Sequence, residues 1–141
     1  MLKLLLSKQA DEKTLFYLGL THKALKNYDQ ATYYFLLSIQ QQTPNLSQHY
    51  YYLGEIAIKT DKPKIAIDSF KKSLKEKTYN PDALYQLATL SESYYKDKKT
   101  ALELYKKYLN MFEGHNKKRT LYIKQQIKKI TTVLFMQEDE K

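Results

Sequence analysis

The sequence predicts an all-α protein, an α-solenoid of three helix-turn-helix repeats followed by a C-terminal capping helix. A small residue followed four positions later by an aromatic one occurs three times at intervals of 35 residues, at 31–35, 66–70 and 101–105. Side chains at i and i+4 lie on one helix face, and this interval is typical of a repeat array. Only three Gly and three Pro interrupt the 141 residues, and no long segment alternates with period two, so helices are predicted rather than strands.

Capping and breaking residues divide the chain into seven predicted helices. Asp11 and Asn27 are expected N-caps, and Pro63 and Pro81 suit the first position of a helix. Gly114 is expected to end the sixth helix, as Thr43-Pro44 ends the second. The predicted helices cover about 11–25, 28–42, 47–59, 63–77, 81–96, 97–112 and 116–136.

The predicted organisation has four parts: an amphipathic segment 1–10, the repeats 11–114 (about 12–46, 47–80 and 81–114), a capping helix 115–137 and an acidic tail 138–141. The last helix carries Ile123, Ile127, Ile130 and Leu134 on one stripe. That stripe is expected to cover the open face of the third repeat, because repeat arrays need a cap with a polar outer face.

The repeats resemble the tetratricopeptide repeat (TPR) family, whose first helix carries Trp-x2-Leu-Gly-x2-Tyr and whose second carries Ala-x3-Phe. The first helices read Leu15-x2-Leu18-Gly19-x2-His22, Tyr50-x2-Leu53-Gly54-x2-Ala57 and Leu84-x2-Leu87-Ala88-x2-Ser91. The resemblance covers residues 12 to about 114. The chain departs from the family pattern because it lacks tryptophan and has Ala88 in place of glycine. It implies a right-handed solenoid that serves as a binding module.

Two glycines inside predicted helices have a packing explanation. Glycine costs about 1 kcal/mol relative to alanine in a helix interior. Gly19 and Gly54 lack a Cβ, so the aromatic side chain of the paired helix could press directly against their backbone.

The sequence contains no recognisable catalytic arrangement, and no catalytic, cofactor-binding or metal-binding residue is predicted. The absence of cysteine excludes a disulfide framework, a Cys-based zinc site and a thiol nucleophile. His22, His49 and His115 are separated and have no acidic or histidine partner at metal-ligand spacing. No phosphate-binding glycine loop or nucleophile elbow occurs, so we predict a non-enzymatic protein that needs no cofactor.

The resemblance implies a concave groove, lined by first helices, that takes an extended peptide or a helix of a partner protein. Mapped onto this chain, its positions are Lys13, Phe16, Leu20, Lys23, Gln48, Tyr51, Glu55, Lys59, Asp82, Tyr85, Thr89 and Glu92. Some members bind a carboxylate terminus with lysine and asparagine where this chain has Phe16 and Leu20. We therefore expect apolar partner side chains. The alternative is that these rings pack inside the array or against the leucines of residues 2–6.

The formal net charge of +9 is concentrated in residues 96–129, which hold eleven Lys or Arg and three Asp or Glu. This basic patch comprises Lys98, Lys99, Lys106, Lys107, Lys117, Lys118, Arg119, Lys124, Lys128 and Lys129. Binding of nucleic acid or an anionic membrane through lysine–phosphate contacts is one interpretation. A solvated face or an acidic protein partner is favoured, because arginine, the better base reader, occurs once.

The remaining expectations concern location and assembly. No 18-residue apolar run occurs, so no membrane span is predicted, and the apolar start is too short for a secretory signal. A cytoplasmic location is favoured, with another protein as partner rather than nucleic acid. A third hypothesis is a homo-oligomer in which residues 1–9 of one molecule cover the first repeat or groove of another.

Overall fold

The computed structural model describes residues 11–41 and 45–139, which form seven α-helices and no strand. The helices are α1 Glu12–Ala24, α2 Tyr28–Gln40, α3 Ser47–Lys59, α4 Pro63–Glu76, α5 Pro81–Tyr94, α6 Lys99–Phe112 and α7 Lys117–Asp139. The predicted all-α helical repeat is therefore confirmed. The predicted amphipathic segment 1–10 and the Thr43-Pro44 break lie outside the described residues.

Side-chain caps account for several helix starts. Asp11 Oδ1 accepts a hydrogen bond from the Thr14 backbone N–H at 2.8 Å, and Asn80 Oδ1 accepts one from Ala83 at 3.2 Å. Asn27 precedes α2 as predicted but makes no side-chain capping bond. The bonds accepted by Asp11 and Asn80 satisfy backbone amides that the first turn of a helix leaves without an intrahelical partner.

Several predicted boundaries differ from the structure. α5 ends at Tyr94 rather than near Lys96, and α6 begins at Lys99, so its N-cap is Lys98 and not the predicted Asp97. Asp97 Oδ1 nevertheless accepts a hydrogen bond from the Lys99 N–H at 3.0 Å. α7 continues through Asp139, past the predicted end at Met136, since no Gly or Pro follows Gly114 to interrupt it. The first two residues of the predicted acidic tail are thus helical.

The chain divides into an N-terminal unit, residues 1–78, and a C-terminal unit, residues 79–141. In the N-terminal unit α1 packs on α2, α3 packs on α4, and α2 contacts α3. The core holds the side chains Leu15, Ala31, Phe35, Ile56, Ala57, Ala66, Ile67 and Phe70. A Cβ on Gly19 would lie 2.7 Å from Phe35 Cε1, and one on Gly54 would lie 2.7 Å from Phe70 Cε1. The predicted packing of a ring against each glycine is confirmed.

The C-terminal unit packs α5 on α6 and α6 on α7. Its core holds Leu84, Leu87, Ala88, Ala101, Tyr105, Tyr108, Phe112, Ile123 and Ile130. Ile123 lies 35 residues after Ala88, at the position that glycine has in the first two repeats, and its side chain is fully buried. Of the predicted stripe on α7, Ile123 and Ile130 are buried, and the other two members are partly buried.

In the N-terminal unit, serine side chains link the two ends of each repeat. Ser38 Oγ, in the last turn of α2, donates to the Glu12 carbonyl oxygen at the start of α1, at 3.0 Å. Thirty-five residues later, Ser73 Oγ donates to the Ser47 carbonyl oxygen at 2.8 Å. Both bonds span 26 residues, so the same closure is built twice.

Candidate functional site

The predicted first-helix positions of the N-terminal unit lie on α1 and α3. Lys13, Gln48 and Lys59 are exposed, while Phe16, Leu20, Lys23, Tyr51 and Glu55 are partly buried. The structure brings two of them together, because Lys23 Nζ lies 3.3 Å from Glu55 Oε1. Lys23 Nζ also lies 5.3 Å from the ring centroid of Tyr52. This pair therefore joins the two first helices side by side.

The aromatic side chains at these positions also contribute to the core. The Phe16 ring centroid is 4.7 Å from that of His49 and 5.7 Å from that of Phe35. The Tyr51 ring meets the Phe70 ring edge-on at 5.5 Å. Leu20 packs against the same core. Each side chain thus combines internal packing with a solvent-accessible part, and its role in partner binding stays a prediction.

The first-helix positions of the C-terminal unit lie on α5, beside residues of α7. The Arg119 guanidinium carbon lies 4.4 Å from the Tyr85 ring centroid, and Arg119 Nη1 lies 3.0 Å from Asp82 Oδ1. The Tyr122 ring lies 6.2 Å from the Tyr85 ring. Burial raises the pKa of the Tyr85 hydroxyl, while the charge of Arg119 acts in the opposite direction. Arg119 therefore covers one face of a predicted binding residue.

Thr89 and Glu92 line a cleft of about 390 Å³ between α5 and α7, together with Tyr122 and Lys129. The Glu92 carboxylate accepts a hydrogen bond from the Tyr105 hydroxyl at 3.2 Å. Burial, with the Glu92 charge second, raises the pKa of Tyr105. The phenol therefore stays protonated and donates to the carboxylate.

Several side chains of the basic patch have partners within the C-terminal unit. Lys98 Nζ donates to the backbone carbonyls of Glu92 and Tyr95, which stabilises the C-terminus of α5. Lys124 Nζ lies 2.7 Å from Glu113 Oε1. Arg119 is paired as described above. Besides Lys124, the exposed members are Lys99, Lys106, Lys107, Lys117, Lys118, Lys128 and Lys129.

Sequence reasoning missed a buried polar cluster in the N-terminal unit. His49 Nε2 lies 2.8 Å from Ser38 Oγ and 2.8 Å from Glu12 Oε1. A Ser-His-acid hydrolase needs one ring nitrogen for the serine and the other for the acid. Here both partners contact Nε2, Nδ1 has none, and the Ser38 side chain is fully buried. The cluster therefore stabilises the fold, and it offers no nucleophile to a substrate.

This cluster predicts a pH dependence of stability. Burial lowers the pKa of His49 below its ordinary value of 6.5, with Glu12 acting in the opposite direction. Between the two pKa values the unfolded chain binds more protons, so the free energy of unfolding should fall as the pH drops below about 6.5. Urea unfolding between pH 8 and pH 5 measures this fall.

The matched variants are His49→Gln and His115→Gln, of which only His115 is exposed. We expect His49→Gln to flatten the profile between pH 7 and pH 5, while His115→Gln keeps it. If the free energy of unfolding of the wild-type protein stays constant or rises as the pH is lowered from 7 to 5, the assignment of a neutral, buried His49 is contradicted.

Residues 11–41 and 45–139 contain neither a candidate metal site nor a helix suited to a membrane. No group of three or more His, Asp or Glu side chains there could hold a metal ion. None of the seven helices combines the length and the apolar character needed to cross a bilayer.

No family model matches the sequence, and no curated protein sequence matches it either. Solved structures do. The Arabidopsis OM64 TPR domain superposes with a TM-score of 0.69 at 17% identity, over 84% of this chain and 94% of that one. A MamA structure has a TM-score of 0.70 at 21% identity, over 97% of this chain and 86% of that one.

A second MamA structure superposes with a TM-score of 0.61 at 25% identity. The match covers 71% of this chain and 54% of that chain, so this chain spans about half of that structure. The repeat spacing, the ring-on-glycine packing and these superpositions agree with one another. The described residues therefore have a TPR-like fold, an all-α helical repeat.

Proposed function

We propose that this chain is a non-enzymatic adaptor or scaffold that binds a peptide or a helix of a partner protein through its first helices. The observation that carries the proposal is the α1–α3 surface of the N-terminal unit. There Phe16, Leu20 and Tyr51 are each held by core contacts and partly accessible. Side chains that are already fixed lose little conformational entropy when they bind, so they suit an interaction surface.

The flanking charges define the partner's chemistry further. Lys13 and Lys59 are exposed on the two first helices, whereas Lys23 is already paired with Glu55. A partner segment with apolar side chains between acidic ones would satisfy both the rings and the free ammonium groups. In the C-terminal unit, Thr89 and the open cleft beside it would provide a second contact region.

The test is a pull-down from lysate of the source cell, with nuclease present, followed by affinity measurement with the retained protein. Lys13→Glu/Lys59→Glu should weaken binding by about tenfold, the equivalent of 1.4 kcal/mol. The matched control, Lys71→Glu/Lys75→Glu, changes the same charge on exposed residues of α4. Equal binding by both double variants would contradict the proposal.

A variant of the ring itself complements the charge test. Tyr51→Ala removes the accessible ring but also its contact with Phe70, whereas Tyr51→Phe keeps that contact and removes only the hydroxyl. Loss of binding in the alanine variant, with an unchanged circular dichroism spectrum, would support a direct contact. Retention in both variants would locate the partner elsewhere.

The other interpretations have less support. Binding of nucleic acid or anionic membrane would use the basic patch, where Lys98, Arg119 and Lys124 already have partners. Self-association through residues 1–9 involves a segment outside the described residues, and deletion of that segment tests it. A cytoplasmic location remains part of the proposal, and it rests on the sequence alone.

A further inference from the structure

The N-terminal unit has a second apolar surface, separate from the first-helix positions. It is a groove of about 300 Å³ between α2, α3 and α4. Leu36 and Ile65 form its walls with exposed fractions of 50% and 54%, and Ile56 lies at its floor. Lys62 and Lys72 also line the groove. None of the described residues that line it is acidic. The groove is thus apolar inside and positively charged at its edge.

The end of α7 has the complementary character. Phe135 and Met136 are 63% and 60% exposed. Glu138 and Asp139 follow in the last turn and are also exposed. Since side chains at i, i+3 and i+4 share one face of a helix, Phe135 lies on the same face as both carboxylates. We call this face of Phe135, Glu138 and Asp139 the α7 tip. It presents an apolar side chain beside two negative charges.

We propose that the α7 tip of one copy docks into the α2–α4 groove of a second copy. Phe135 would bury its ring between Leu36 and Ile65, and the two carboxylates would approach Lys62 and Lys72. The groove volume accommodates a side chain of this size, and the charges attract across the contact. This inference is independent of the proposed function, because it uses none of the same residues.

Charge argues against the other apolar segment of the chain as the occupant. Residues 1–9 contain four leucines, but they carry Lys3 and Lys8 and no acidic residue. Placed in this groove, those lysines would face Lys62 and Lys72, and like charges repel. The α7 tip has both an exposed apolar side chain and the required sign of charge.

The geometry of the contact determines the kind of assembly. The tip and the groove are different surfaces, so a reciprocated contact produces a two-fold dimer, and a contact that is not reciprocated produces rings or open chains. A contact made by one helical turn buries less than the 1,200 Å² or so of a stable interface. We therefore expect weak association that grows with protein concentration and declines with added salt.

Sedimentation velocity over a concentration series at low salt tests the association. The wild-type mass should rise with concentration, and Phe135→Ala/Met136→Ala should abolish the rise. Leu121→Ala is the matched control, because Leu121 lies on the same helix and is 60% exposed. A wild type that stays monomeric at the highest concentration, or an unaffected double variant, would overturn the proposal.

A charge exchange tests the pairing of the two surfaces. Variant one carries Lys62→Glu/Lys72→Glu, and variant two carries Glu138→Lys/Asp139→Lys. Each alone would oppose like charges and should be monomeric. Mixed, they restore attraction between the acidic groove and the basic tip, so association should return. Mixing without recovery would show that these charges do not meet.

Because the chain has no cysteine, disulfide trapping can then locate the contact and separate the two possible origins of the occupant. Copies with Ile65→Cys mixed with copies with Thr132→Cys, an exposed residue one turn before Phe135 on the same face of α7, should form an intermolecular disulfide on mild oxidation. Tyr79→Cys, at a residue 65% exposed, replaces Ile65→Cys as the control. A doubly substituted chain that cross-links only within itself at high dilution would assign the contact to one copy and overturn the proposal.

Discussion

Replacing Gly54 with alanine is expected to lower the free energy of unfolding by about 1–3 kcal/mol, the usual cost of overpacking a core. The new Cβ would lie 2.7 Å from ring atoms of Phe70, whose side chain is fully buried. Helix propensity alone predicts the opposite sign, a gain of about 1 kcal/mol. Chemical denaturation of the variant therefore decides which effect dominates.

Two further variants make this result specific. Adding Phe70→Leu to Gly54→Ala removes the ring, so the double variant should cost less than the sum of the single changes. Gly19→Ala should reproduce the loss in the first repeat, since its Cβ would meet Phe35 at the same distance. If Gly54→Ala stabilises the protein instead, the ring can move aside and the packing explanation for the glycine fails.

Replacing Ile123 with alanine is expected to cost about 2–5 kcal/mol of stability in the C-terminal unit. Its side chain is fully buried on α7 at the position where earlier repeats have glycine or alanine. Removing three carbons there would leave a cavity that a helix packed mainly on α6 could only partly close. Thermal unfolding followed by circular dichroism measures the loss.

Val133→Ala is the control on the same helix, because Val133 is 41% exposed. Its loss should stay well below that of Ile123→Ala. If the two losses are equal, then α7 stability does not depend on burial at position 123, and α7 is held by its other contacts.

The repeat architecture could be predicted from the sequence because it rests on local and periodic features. A small residue four positions before an aromatic one produces a packing pair in any helix, and three copies at one interval define the array. The same reasoning predicted the contacts of Gly19 and Gly54, since glycine inside a helix needs a packing reason.

The polar cluster could not be predicted in this way. His49 has no acidic partner at metal-ligand spacing in the sequence, because its actual partner, Glu12, lies 37 residues earlier. The one available signal was positional. Extending the 35-residue register from Ser38 leads to Ser73, and extending it from Glu12 leads to Ser47, which are the pairs that bond.

Charge counting also overestimated the free charge of the basic patch. Net charge records how many lysines and arginines a segment contains, but long side chains can reach partners several residues away. Lys98 reaches carbonyls at the end of α5, and Arg119 stacks on Tyr85. The 35-residue repeat interval was again the available signal in the sequence. Arg119 lies 35 residues after Leu84, the first motif position of the third repeat.

The serine bonds of the N-terminal unit have a consequence for its local dynamics. Each joins the first turn of a repeat to its last turn, so neither end can detach without breaking it. Detaching the last turn of α2 would also remove Ser38 from His49, leaving buried polar atoms without partners. Fraying at that end therefore costs free energy, and the least costly local unfolding reaction opens both helices of a repeat together. Each repeat of this unit should thus exchange its amide hydrogens as one cooperative block.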